Sequence, residues 1–330
     1  MAKVIVHRAE AGQRLDRFLR KLLQGMPTSH IFKLLRTRKV RVNGKQGRAE
    51  QVLEPGDEIL VHMVEERFHE DTKRRPCSAT QIDFRVVFED NFLLVVAKPP
   101  FLPVHSGAGH RSNSLIDQIH GYLEIDDDAP TTFRPSLAHR LDKDTSGLVL
   151  VGKSVEVLQR LTRMFQDGEV KKTYLALAKG IPEPRSGTWS YKVERRDVPG
   201  STRTSAPTRG RKDAQGKTSY QVAMTRSLHL PGGNDQPMSL LLLTPHTGRT
   251  HQLRSHLFQA HHPIAGDPRY GDPDLNRLFR TRYHLERQFL HAFQLQLAHP
   301  VSGKPLRLVD PFPQDLLPIV QSLRLEIPKV

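Results

Sequence analysis

A single cysteine, Cys77, occurs in a chain of 330 residues, so no intrachain disulfide can form and a zinc site built on several thiolates is excluded. No apolar run reaches the roughly 18 residues of a membrane-spanning helix, and no basic amphipathic stretch is long enough to read as a membrane-surface anchor. The first residues, Met-Ala-Lys-Val-Ile-Val-His-Arg, lack the apolar centre of a secretory signal. These absences point to a cytoplasmic protein with no membrane partner. Acids are scarce as well: 35 Asp and Glu face 50 Lys and Arg, a formal net charge of +15. An excess on that scale points to a polyanionic partner, nucleic acid ahead of a membrane surface. Hydrophobic residues make up 37%, enough for a sizeable core, and the length suits two domains.

Residues 1–62 read as a small separate domain with 13 Lys and Arg against 6 Asp and Glu. Leu15, Phe18, Leu19, Leu22 and Leu23 follow helical spacing, with Gly25 and Pro27 ending that helix. Thr28 or Ser29 is expected to cap a second helix with Ile31, Leu34 and Leu35 inward. Val40 and Val42 alternate with basic residues, Asn43-Gly44 and Pro55-Gly56-Asp57 are turn signals, and Ile59 and Val61 mark a last strand. Arg14, Arg17 and Lys21 share one helical face, Lys33 and Arg36 another, and Arg38, Lys39 and Arg41 follow. A solvated face mixes charge signs; this one is nearly all positive and is expected to be a phosphate-contacting ridge. Residues 63–80, with Glu65, Glu66, Glu70, Asp71, Lys73, Arg74 and Arg75 and little that is apolar, read as a linker. The remainder, 81–330, is expected to be one catalytic domain. A hairpin around Asp90-Asn91, strands at Leu148–Val151, Tyr174–Ala178 and Leu240–Leu243, and a helix over Val155–Phe165 predict an α+β fold, mainly antiparallel. Residues 194–217 are polar and basic and read as an exposed loop.

Three segments carry chemistry: His139-Arg140-Leu141-Asp142-Lys143-Asp144-Thr145-Ser146-Gly147, Lys171-Lys172-Thr173-Tyr174, and Thr247-Gly248-Arg249-Thr250-His251-Gln252-Leu253-Arg254. The first sets carboxylates among cations, which suits a nucleophile or base at neutral pH. Residue types alone leave Asp142 and Asp144 equivalent, and a plain turn cap fits either. Asp-Thr-Ser-Gly at 144–147 suggests an aspartic protease, but that chemistry needs a second such loop, and there is none. His246, His251 and His256 are spaced by five, which fits neither one helix face nor one strand face, so no metal site is expected. Thr247–Thr250 lacks the frame of a phosphate-binding P-loop.

His139-Arg140-Leu141-Asp142 with Thr145-Ser146-Gly147 resembles the signature of the RluA family of RNA pseudouridine synthases, H-R-L-D-x-x-T-S-G. Lys172-x-Tyr174 resembles that family's second motif and Thr247–Arg254 its third. His262-Pro263-Ile264, Gly266-Asp267, Arg269-Tyr270-Gly271, Leu290-His291-Ala292 and His299-Pro300 continue the likeness over residues 84–310. Residues 13–62 resemble the S4-like RNA-binding domain that precedes many members, and the layout is most similar to the RluC type, which acts on large-subunit ribosomal RNA. The resemblance implies Asp142 as nucleophile, Tyr174 packed on the target uracil, and Arg254 paired with Asp142. It also implies that Arg140 fills the space left by the flipped base, that Leu253 lines the base pocket, and that His139 and Arg249 contact RNA. No metal or cofactor is implied, because the uracil is both leaving group and acceptor. The partner would be ribosomal RNA, free or in an assembly intermediate, and the protein a monomer. The family's Lys-Pro-Ala-x-Thr has only Gly216-Lys217-Thr218-Ser219-Tyr220 as its counterpart here. The rival readings are the same chemistry on transfer RNA, a non-catalytic RNA-binding or ribosome-assembly protein, and a metal-dependent RNA hydrolase.

Overall fold

The computed structural model describes residues 2–23, 26–62, 81–105, 113–125, 132–192, 215–229 and 235–326. The expected linker 63–80, Gly25 and residues 194–214 of the expected basic loop lie outside these. Residues 215–217, expected to belong to that loop, instead open a strand.

The N-terminal unit contains β1 (Ala2–Ile5), α1 (Leu15–Leu22), α2 (Thr28–Arg36), β2 (Val40–Val42), β3 (Lys45–Gln46) and β4 (Glu58–Val61). Its antiparallel sheet runs β1-β4-β2-β3. Leu15, Phe18 and Leu19 of α1 and Ile31, Leu34 and Leu35 of α2 meet Val40, Val42, Ile59 and Val61 in one apolar cluster, as their helical and alternating spacings dictate. Asn43 and Gly44 both take positive φ, 50° and 76°, which a tight I′-type hairpin requires. The Asn43 side chain then ties that turn to Asp57 at 2.7 Å and to the Glu58 N–H at 2.8 Å. One expectation fails: α2 is capped by neither Thr28 nor Ser29. Its N-cap is Pro27, with no side-chain cap bond, and both hydroxyl residues lie inside the first turn. Proline presets a helical φ and has no N–H to satisfy, so the helix starts directly after it.

The second unit is built on a ten-stranded sheet. Its strands are β5 (Arg85–Glu89), β6 (Leu93–Lys98), β7 (Ser136–Leu137), β8 (Ser146–Gly152), β9 (Lys171–Lys179), β10 (Ser186–Lys192), β11 (Gln215–His229), β12 (Asp235–Pro245), β13 (Leu290–Ala298) and β14 (Pro305–Val309). The order is β10-β11-β12-β9-β13-β8-β6-β5, with β14 beside β13 and β7 beside β8. The short β13–β8 pairing is parallel and the others are antiparallel. Helices α3 (Leu115–Tyr122), α4 (Val155–Gln166), α5 (Gln252–Gln259), α6 (Pro273–Tyr283) and α7 (Leu317–Ser322) cover it. Both faces of the sheet centre are buried, which explains why β6 and β8 read as continuous apolar runs. Leu93, Val95, Leu148 and Leu150 pack with Val157, Leu161 and Met164 of α4, while Leu94, Val96, Val149 and Val151 join the main core with Leu115 and Ile119 of α3.

The parallel β8–β13 contact depends on Gly147. Its φ is 118°, and a Cβ there would lie 2.3 Å from the Ala292 carbonyl oxygen. Gly147→Ala is therefore expected to destabilise the protein by about 3 kcal/mol or more, from backbone strain plus the clash. An unfolding midpoint in urea equal to that of the wild type would contradict this close approach.

Candidate active site

The three motif segments converge on one cavity of about 500 Å³. The first lies in the loop entering β8, the second on β9, and the third in the turn from β12 into α5, so sheet order alone brings them together. The cavity is lined by His139, Arg140, Asp142, Tyr174, Arg249, Leu253 and Arg254, all expected as site residues, and also by Phe165, Lys172 and His251. Asp144 does not line it. The N-terminal basic residues stand apart. Arg14 pairs with Asp16 at 3.1 Å, Lys21 lies 5.9 Å from the Phe133 ring, and Arg17, Lys33, Arg36, Arg38, Lys39 and Arg41 are exposed.

Asp142 accepts a bond from Arg254 Nη1 at 3.1 Å. Arg254 is held in turn by Asp267, which takes its Nε at 2.7 Å and its Nη2 at 2.8 Å. Asp267 is buried and accepts the N–H groups of Arg269 and Tyr270 as well. Burial opposes both charges. However, the Asp267 and Asp142 carboxylates more than offset it for Arg254, whose pKa lies above its ordinary value. The same guanidinium keeps the Asp267 carboxyl below its ordinary value despite burial. Arg254 is thus a rigid fork that presents one N–H to Asp142. The likeness quoted Asp267 and Tyr270 without giving them work. The fold supplies it: Asp267 anchors the fork, and the Tyr270 ring lies 5.4 Å from the guanidinium carbon.

Tyr174 is buried, and burial together with the Asp142 charge raises its pKa, so the phenol stays protonated at neutral pH. His251 sits at the start of α5 in a left-handed conformation, φ 56°, with Nε2 3.9 Å from the Asp142 carboxylate. Burial, aided by Arg254 and Arg269, holds its pKa below the ordinary histidine value despite Asp142. His139 accepts the Leu150 N–H on Nε2 at 3.1 Å and tilts against Phe165. Burial and the Lys172 charge push its pKa down to about 3, so it is a neutral prop for the loop. Arg140 is exposed at the cavity mouth, and Arg249 lies partly buried on the α5 side.

A support that the sequence reading missed lies behind the loop. Lys98, 1% exposed, donates to the carbonyls of Lys143 at 2.8 Å, Pro99 at 2.8 Å and Leu102 at 3.0 Å. Arg287 donates to the Asp144 carbonyl at 3.2 Å, and Gln288 to the Thr145 hydroxyl at 3.1 Å. Buried side chains therefore grip each of the residues 143, 144 and 145 that follow Asp142. Burial and the Arg287 charge push the Lys98 pKa down to about 7. Its three carbonyl acceptors match the three donors of an ammonium, whereas a neutral amine has only two. A lysine closing the apolar run Leu93–Ala97 was the visible signal; Arg287 and Gln288 gave none.

His246, His251 and His256 point to separate places: to Ser219, to Asp142, and beneath Tyr191. Among the described residues, no group of three or more His, Cys, Asp or Glu is arranged to hold a metal ion, and no helix is long and apolar enough to cross a membrane.

The profile of the RNA pseudouridylate synthase family matches residues 92–259. Ribosomal large subunit pseudouridine synthase C of Pasteurella multocida (strain Pm70) is 34% identical over 336 residues, covering 96% of this chain and 91% of that protein. The protein of the same name from Escherichia coli (strain K12) is 34% identical over 332 residues, covering 96% and 94%. Among solved structures, human RNA pseudouridylate synthase domain containing 4 superposes with a TM-score of 0.55 at 28% identity, covering 74% of this chain and 94% of that one.

Proposed function

Since this chain belongs to the RNA pseudouridylate synthase family, and its motifs are of the RluA type, we propose that it isomerises specific uridines of large-subunit ribosomal RNA with Asp142 as nucleophile. The observation that carries this reading is the Asp142 carboxylate, oriented at 3.1 Å by Arg254 inside the cavity that also holds Tyr174. A uridine in structured RNA must leave its stack to reach such a cavity, and the cost of unstacking is a few kcal/mol. On this reading Arg140, exposed and lining the cavity, fills the vacated space, since a guanidinium is flat, stacks, and donates hydrogen bonds. The C1′–N1 bond breaks, the uracil turns against Tyr174 and Leu253, and C1′ bonds to C5. N1 gains a proton and C5 releases one, so product and substrate are isomers. Asp142 assists by removing the 2′ proton or by attacking the sugar or the base. His139 and Arg249 border the path of the entering nucleotide.

Residues 1–62 act on this reading as an S4-like RNA-binding domain, and 81–330 as the catalytic domain. The protein works as a cytoplasmic monomer on free ribosomal RNA or an assembly intermediate. The support for the RNA target is the near full-length likeness to two proteins named for the ribosomal large subunit.

The test is tritium release from large-subunit ribosomal RNA labelled at uracil C5, with a chelator present. Release by this protein is expected. Silence on that RNA but release from transfer RNA would move the target, and silence on both would favour a non-catalytic RNA-binding protein. Deletion of residues 1–62 is expected to weaken RNA binding and to flatten its salt dependence, because exposed Lys33, Arg36, Arg38, Lys39 and Arg41 leave with it. An unchanged salt slope would contradict the ridge.

A further inference from the structure

The N-terminal unit is locked to the catalytic unit by buried polar contacts. Glu10, 3% exposed, accepts both the N–H and the hydroxyl of Thr132. Gln13, also 3% exposed, donates to the same hydroxyl at 3.1 Å. The Val155 N–H donates to the Ala9 carbonyl at 3.0 Å, and the Gln159 side chain to the Gly12 carbonyl at 3.3 Å. A buried carboxylate that also accepts the His7 N–H at 3.0 Å is costly to pull away from Thr132, so α1 and α4 are held in a fixed relation.

Between them lies a second cavity, about 400 Å³, lined by Gly12, Arg14 and Arg17 on one side and by Gln159, Thr162 and Arg163 of α4 on the other. Its free donors come from three guanidiniums, since the Thr162 hydroxyl donates to the Leu158 carbonyl at 2.7 Å and the Gln159 amide to Gly12, and no carboxylate lines it. Arg14 is partly neutralised by Asp16 at 3.1 Å and Glu50 at 3.6 Å. Arg17 and Arg163 have no ion-pair partner among the described residues. Folding thus brings like charges from two distant stretches of chain to one notch, an arrangement that favours an anion between them. Planar forks of this kind match phosphate oxygens.

The place of this notch matters as much as its charge. Thr162 and Phe165, three residues apart, are neighbours on the surface of α4, and Phe165 lines the active-site cavity with Gly168, Lys171 and Lys172. The notch and the cavity therefore share α4 as a wall.

We propose that the notch between α1 and α4 is a phosphate-binding site that grips the RNA backbone beside the nucleotide seated in the catalytic cavity. The two units then hold one strand jointly, and the docking of Glu10 on Thr132 sets the span between gripped phosphate and reacting base. This rests on the reading of the chain as an RNA-modifying enzyme, but it concerns a site outside the motifs that carry that reading.

The test uses the full chain with transcribed large-subunit ribosomal RNA. Affinity is measured against salt for wild type, Arg17→Glu, Arg163→Glu and the double variant, with thermal midpoints to check folding. Each reversal is expected to weaken binding about tenfold and to lower the salt slope by about 1. The double variant should lose less than the product of the two, because both side chains serve one phosphate. Arg163→Gln, which removes charge without adding an acid, should show a smaller loss of the same kind. Wild-type affinity and slope in the folded Arg163 variants would overturn the proposal, as would strictly independent effects of Arg17 and Arg163. The wild-type tritium assay separates the two readings: an active enzyme whose binding ignores Arg163 rejects only the notch, and an inactive wild type rejects the enzyme.

Discussion

Asp142→Asn and Asp142→Ala are expected to lower pseudouridine formation by on the order of 10⁴-fold or more, to background, while RNA affinity stays near that of the wild type. The structure makes this a clean test. Asp142 is partly solvated, with its side chain 20% exposed, and Arg254 keeps its two bonds to Asp267 when Asp142 is changed. Neither variant leaves a buried guanidinium without a counter-charge, so folding should survive. RNA affinity comes chiefly from cations on phosphate, which neither substitution touches. The measurements are tritium release and a binding curve on the same RNA, with a thermal scan alongside. Asp144→Asn is the matched control. It is the Asp144 carbonyl that Arg287 holds, and its side chain lies outside the cavity, so that variant should still turn over. Product from Asp142→Ala above background would remove Asp142 from the role of nucleophile. Loss of activity in both Asp142→Asn and Asp144→Asn would instead indicate a loop sensitive to any change of charge.

How much of this was legible beforehand followed the range of the interactions. Leu15, Phe18 and Leu19 announced α1 because helical spacing is a local property, and Asn43-Gly44 announced its hairpin because a left-handed pair is a local demand. Asp90 capped the expected β5–β6 turn in the same way, accepting the N–H groups of Phe92 and Leu93 at 2.8 Å. Strand β11 was missed although Tyr220, Val222 and Met224 alternate with Gln221, Ala223 and Thr225, because the segment is largely polar and its opening residues read as loop. The cavity was foreseen through motifs, but periodicity could not decide between Asp142 and Asp144, since both sit in the same turn among the same cations. Lining of the cavity separates them in the fold. What stayed invisible was the support. Lys98, Arg287 and Gln288 find their partners 45, 143 and 143 residues away. A buried polar side chain whose acceptor lies that far along the chain leaves no local pattern, only an oddly placed charge.

The same long-range logic gives the second large effect, at the Arg254–Asp267 pair. Arg254→Lys is expected to cut turnover by on the order of 10²-fold, although charge is kept. One ammonium cannot reproduce a fork that grips Asp267 with Nε and Nη2 while aiming Nη1 at Asp142. Asp267→Asn should act on stability as well. The Asp267 side chain is fully buried, and its loss as a carboxylate leaves a buried guanidinium with only Asp142 as counter-ion, a cost of about 3–5 kcal/mol at neutral pH. The pH dependence carries a definite sign. The folded-state pKa of Asp267 is depressed below the unfolded value of about 4, so its stabilisation is present above that value and is lost as pH falls through the lower folded one. The stability gap between wild type and Asp267→Asn should therefore be widest at pH 7 and should narrow as the solution is acidified below about pH 4. Urea unfolding of both proteins at pH 7 and pH 3 reads that gap directly. A gap of the same size at both pH values would mean that Asp267 contributes by shape and neutral hydrogen bonding rather than by pairing with Arg254. The ion-pair account of how Asp142 is aimed would then fail with it.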